Sequence, residues 1–105
     1  MHTVLVKYTF PKPVPRSALL ERFKKSEANF RGLDKLTRKY FCYDEASNTG
    51  HSVYLWENEA AARAFFSDKF LAGFAEKFGC TPELTYVDTL IVVDNEQDKT
   101  SVNEG

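Results

Sequence analysis

The chain has 105 residues, of which 43% are apolar, 14% aromatic and 28% charged, with a formal net charge of −1. That length suits one domain, and the balanced charge supplies no field that would draw the protein to nucleic acid or to an anionic membrane. Cys42 and Cys80 stand far apart without a C-x-x-C spacing, which argues against a structural zinc site or a disulfide framework and fits reduced thiols in a cytoplasmic protein.

In chain order, the opening MHTVLVKYTF has no basic segment followed by a long apolar run, because Lys7 and Thr9 interrupt it. It predicts a first strand over Thr3 to Phe10, stopped by PKPVP because proline cannot donate to a strand ladder. RSALLERFKKSEANFRG sets Leu19, Leu20, Phe23, Ala28 and Phe30 along one stripe at helical spacing, with Gly32 as a stop and either Pro15 or Ser17 suited to the start. Leu36 to Asp44, LTRKYFCYD, predicts a strand, EASNTG a hairpin connection, and His51 to Trp56 the returning strand.

Asn58 then suits a helix N-cap before EAAARAFF, with Glu59 at the positive end of the dipole. A second cap-like pair, Ser67 and Asp68, breaks that helix before KFLAGFAEKFG, and Phe66, Phe70, Phe74 and Phe78 recur at steps of four until Gly79. ELTYVDTLIVVD predicts one long final strand closing a domain of residues 1–95, and residues 96–105 read as a polar, flexible tail. No stretch approaches the ~20 apolar residues of a membrane span.

The order β-α-β-β-α-β is the α+β, ferredoxin-like pattern, in which two helices cover one face of a four-stranded antiparallel sheet. A sheet wet on its other face would be polar at every second residue. Here Val4, Val6 and Tyr8 alternate with Leu5, Tyr54 and Trp56 with Val53 and Leu55, and Tyr86 with Val87. Bulky groups on both faces predict that a second copy covers the open one, giving a symmetric homodimer with sheets packed face to face.

TRKYF, GHSVYLWENEAAARAFFSDKF and FGCTPELTYVDTLIVVDN resemble the YdhR-like family of mono-oxygenases, a branch of the dimeric α/β-barrel superfamily. The resemblance runs from about Leu36 to Asn95, with VYLWENEAA and VVDN its most specific pieces. It implies a barrel-forming dimer, a pocket between each sheet and its helices, and oxygenation of an aromatic or otherwise hydrophobic compound without metal, haem or flavin. Relatives place Gly-Gly before the Val-Tyr-Leu-Trp strand, whereas this chain has His51 and Ser52, with Gly50 one step earlier. The superfamily's haem-degrading enzymes are similar at WENEA and SDKF, but Phe74 stands near the position of their ligand histidine, and neither His2 nor His51 falls on a predicted helix.

Oxygenation without a cofactor requires that the substrate itself supply the electron, as a phenolate or enolate, in a dry cavity with a cation and one or two hydroxyls. Tyr40, Tyr54 and Trp56, with Phe66, Phe70 and Phe74 of the second helix, are the candidate walls. Arg38 or Lys39 is the candidate cation, and strand alternation allows only one of them into the pocket. His51 is a candidate base, since it titrates near neutrality when unperturbed. The plainer readings are a core plug for Trp56, packing for the phenylalanine row and an exposed hairpin position for His51. No Ser-His-Asp order, glycine-rich phosphate loop or metal-ligand cluster appears. The expected function is therefore a dimeric, cofactor-independent mono-oxygenase; the rival is a non-catalytic ligand-binding or stress-related dimer on the same scaffold.

Overall fold

Alternation along β1 (His2–Thr9) decides where the core sits: the even-numbered Val4, Val6 and Tyr8 are buried, while the odd-numbered Leu5, Lys7 and Thr9 are exposed. The computed structural model describes residues 1–105. After β1 come α1 (Arg16–Ser26), a 3-10 turn (Glu27–Asn29), β2 (Leu36–Asp44), β3 (Thr49–Trp56), α2 (Glu59–Phe65), α3 (Asp68–Phe78) and β4 (Glu83–Asp88). Four strands make one antiparallel sheet in the order β2-β3-β1-β4, an arrangement compatible with a ferredoxin-like fold. No helix is long and apolar enough to cross a membrane.

The helix boundaries follow local chemistry. Asn58 accepts through its side chain from the Ala61 amide at 2.8 Å, and Ser67 from the Phe70 amide at 3.2 Å, so each cap satisfies an amide that the first turn leaves free. The break at Ser67 thus divides the helical region into α2 and α3, and Gly79 ends α3 at φ 73°, in the left-handed region that glycine enters without steric cost. Helix α1 borrows its cap: Pro15 offers no side-chain acceptor, and Glu45 of the β2–β3 turn accepts from the Arg16 amide at 2.7 Å. Asn48 of the same turn accepts from the Val14 amide and the Tyr43 hydroxyl and donates to the carbonyls of Phe10 and Lys12. One hairpin turn therefore fixes the proline-rich entry to α1.

Two expectations at the C-terminus need correction. The long final strand breaks at Thr89 and Leu90 into β4 and β5 (Ile91–Asp94), and the expected tail contributes β6 (Lys99–Val102), which pairs with β5 as a separate hairpin. Asp94 makes the turn, because its Oδ1 accepts from the amides of Glu96 and Gln97 at 3.0 and 3.1 Å while Asp98 adopts φ 49°. Asn103 ties the base of the hairpin to the sheet by donating to Asp88 and to the carbonyls of Met1 and Thr89.

The two sheet faces differ sharply. The inner face, beneath the helices, carries Val4, Val6, Tyr8, Tyr54 and Trp56 in the core. On the outer face Leu5, Tyr40 and Val87 are 42%, 45% and 42% exposed, and the hairpin presents Ile91, Val93 and Val102.

Candidate functional site

Helices α1 and α3 splay over the inner face and leave a cavity of about 500 Å³ between them. Its floor comes from three strands: Tyr8 of β1, Lys39 and Phe41 of β2, and Ser52 of β3. Phe23 and Phe30 form one wall, Phe70, Phe74 and Phe78 the other, and Phe65 of α2 closes an end. The rings pack on one another rather than into the gap, with Phe23–Phe41 at 4.7 Å, Tyr8–Phe74 at 4.9 Å and Phe74–Phe78 at 4.6 Å between centroids. Arg22 bridges the helices, donating to the Lys77 carbonyl at 2.8 Å with its guanidinium over the Phe78 ring.

Lys39 is the cation of this cavity. Its Nζ donates to the Tyr54 hydroxyl at 2.7 Å and lies 3.5, 3.9 and 4.4 Å from the ring centroids of Phe30, Phe41 and Tyr54. No carboxylate lines the cavity; its other charged groups are Lys69 and Lys77 of α3. Burial without a counter-ion pulls the Lys39 amine down to about 7, against the pull of the aromatic faces, which favour the ammonium. Burial, with Tyr8 nearby, raises the Tyr54 phenol, so its hydroxyl keeps its proton at neutral pH.

Tyr8 is raised as well, chiefly by burial, with a hydrogen bond to Ser52 acting in the opposite direction. Its ring lies directly on Gly50: a Cβ added there would stand 2.1 Å from the ring. Gly50 therefore preserves the close approach, while Ser52 adds a hydroxyl to the floor, 3.3 Å from that of Tyr8.

Among the predicted site residues, Lys39, Phe70 and Phe74 meet in the cavity, and Tyr54 stands behind Lys39. Arg38 faces the other way, bonded to the Tyr40 hydroxyl and paired with Asp94 of the C-terminal hairpin at 2.7 Å. Tyr40 follows it onto the outer face, and both line a second cavity of about 650 Å³ beneath that hairpin. His51 is exposed on the outer face, in register with Lys7 and Cys42. Trp56 and Phe66 are core plugs: Trp56 is 2% exposed and parallel to Tyr54, and Phe66 packs edge-on against both. Of the Arg38-or-Lys39 pair it is therefore Lys39 that enters the cavity between the helices; Arg38, Tyr40 and His51 are corrected as groups of that cavity, and Trp56 and Phe66 support its walls from behind.

A β-bulge explains the first two misplacements. Leu36 faces Trp56 and Arg38 faces Leu55, so Thr37 is the extra residue, and strict alternation counted from Leu36 assigns Arg38 and Tyr40 to the wrong side. Counted backward from Tyr43, the same rule would have found Lys39 and Phe41. Lys69, Gly73 and Lys77 of α3 and Ser52 were also missed; the four-residue step through Lys69, Gly73 and Lys77 runs beside the phenylalanine row and was a usable signal.

Compared with known proteins, the chain matches no family model and no curated sequence.

Proposed function

We propose that this chain is a cofactor-independent mono-oxygenase that binds a flat hydrophobic molecule with an acidic hydroxyl in the cavity between α1 and α3. One observation carries the reading: a lysine poised near neutrality lies at the floor of an aromatic cavity that contains no carboxylate. Such a floor favours the anion of a phenol or enol over its neutral form, and the walls suit a planar ring. Neutral Lys39 accepts the hydroxyl proton, and the resulting ammonium holds the oxyanion. The electron-rich anion then passes electrons to dioxygen; one oxygen atom ends as a ring carbonyl in place of a ring hydrogen, the other leaves in water with the two hydrogens the substrate loses, and the substrate is oxidised by the four electrons that dioxygen takes up.

The working unit in this proposal is a homodimer. The apolar outer face of the sheet and the exposed Ile91, Val93 and Val102 of the hairpin favour a second copy as their cover. Two free cysteines favour a reducing, cytoplasmic setting.

Oxygen uptake with a panel of hydroquinones tests the chemistry: turnover is expected above background, and Lys39→Met lowers it roughly 100-fold, the scale of a lost general base. Uptake at background with binding retained assigns the chain to non-catalytic ligand binding instead. Light scattering at micromolar concentration tests the assembly, and a monomer removes the dimer without touching the cavity.

A further inference from the structure

We propose that Lys39 is also a nucleophile, capturing the carbonyl carbon of a hydrophobic aldehyde or ketone in the cavity as a protonated imine. This rests on the small-molecule reading of the same cavity but not on oxygen chemistry.

Four features of the site point this way. The amine lines the cavity, whereas other lysines such as Lys24 and Lys35 sit on the surface paired with Glu21 and Glu57. With no carboxylate present, nothing holds Lys39 permanently in the ammonium form, and the neutral amine is available at physiological pH. The Tyr54 hydroxyl lies 2.7 Å from Nζ and retains its proton, so a proton relay is already in place. Finally, the faces of Phe30 and Phe41, 3.5 and 3.9 Å from Nζ, stabilise the cation that the reaction forms.

The step balances without an oxidant or reductant. The Nζ lone pair forms the C–N bond as the carbonyl π pair moves to oxygen, and the Tyr54 hydroxyl gives its proton to that oxygen as it takes one from nitrogen. The C–O bond then breaks, water leaves with one further proton from solvent, and the iminium remains on Lys39. Its positive carbon acidifies the adjacent C–H bonds, so the class of reaction served is proton removal, or loss of a carboxylate, next to a carbonyl.

The test uses the full chain with benzaldehyde and sodium cyanoborohydride, which freezes an iminium as a secondary amine, followed by intact mass and peptide mapping. A single benzyl group on Lys39 is expected, formed at least about tenfold faster than on surface lysines because those are almost wholly protonated at pH 7. The rate should rise through about pH 7. The titratable groups facing Lys39 are Tyr8 and Tyr54 from the sheet and Lys69 and Lys77 from α3; α2 contributes only Phe65, and α1 with its following turn no titratable group. Lys39→Met abolishes the fast label; Tyr54→Phe, which keeps the ring, slows it roughly tenfold by removing the relay. Lys24→Gln with Lys35→Gln on the surface leaves the fast label on Lys39, whereas label on Lys69 or Lys77 in place of Lys39 in the unmodified protein refutes the proposal. Labelling spread over the surface with Lys39 untouched overturns it. If a phenol still binds in that case, the cavity reading survives; if nothing binds, both fall.

Discussion

Arg38 and Lys39 are adjacent cations on one strand with opposite fates. Arg38 lies on the outer face, bonded to Tyr40 and paired with Asp94, and these partners raise its already high pKa. Lys39 lies on the inner face among aromatic rings, with a phenol as its only hydrogen-bond partner, and burial draws its pKa down to about 7. A charge that can reach solvent or a carboxylate serves as a tether. One held among aromatic rings, with no carboxylate and only part of its surface open to solvent, becomes chemically reactive, because its protonation state is no longer assured.

The comparison breaks most visibly on the floor of the inner face. Gly50→Ala sets a Cβ 2.1 Å from the ring of Tyr8, itself confined by Phe10, Phe74 and Phe78. A loss of about 3 kcal/mol is expected, the upper end for overpacking, read as a lower urea midpoint at unchanged slope. A variant as stable as the parent would mean that the floor of the cavity is pliable.

Lys39→Met sharpens it through pH. The folded-state pKa is about 7, against roughly 10.4 in an unfolded chain. Between those values the unfolded chain binds more protons, so the lysine's contribution to stability improves as pH rises and is worst below pH 7. From pH 7 to pH 10 the parent should therefore gain about 3.5 kcal/mol relative to Lys39→Met, slightly less than the full 1.36 kcal/mol per unit because each pKa lies close to one end of the range. Parallel stability curves for the two proteins would show that the amine is solvated.

The smallest effect belongs to the outer face. Arg38→Ala frees Asp94, and amide exchange across Ile91 to Asp94 should quicken while cavity binding stays unchanged. A change in binding would show that the two faces communicate.

Much of the fold was legible because its signals are local. Asn58, Ser67 and Gly79 each act on the adjacent turn, and the strand and helix order follows from apolar spacing alone. The β5–β6 hairpin was not, because its turn depends on one carboxylate, Asp94, gathering two amides within a polar run that composition reads as tail. Lys39 was legible as a candidate but inseparable from Arg38, since the bulge at Thr37 shifts the parity of β2 and leaves no mark in residue type. The absence of acids around Lys39 depends on which residues of α3 and β3 come to face β2, a three-dimensional fact.

Gly73 adds a last constraint. It lies within α3 beside the cavity, and a Cβ there would touch nothing within 4 Å. Alanine would make a better helix by about 1 kcal/mol, so the bare position leaves α3 weaker than it could be. What it leaves in return is room: even a methyl at 73 would still face open space beside the cavity, so only a bulkier side chain there would narrow the range of guests, without altering the chemistry below.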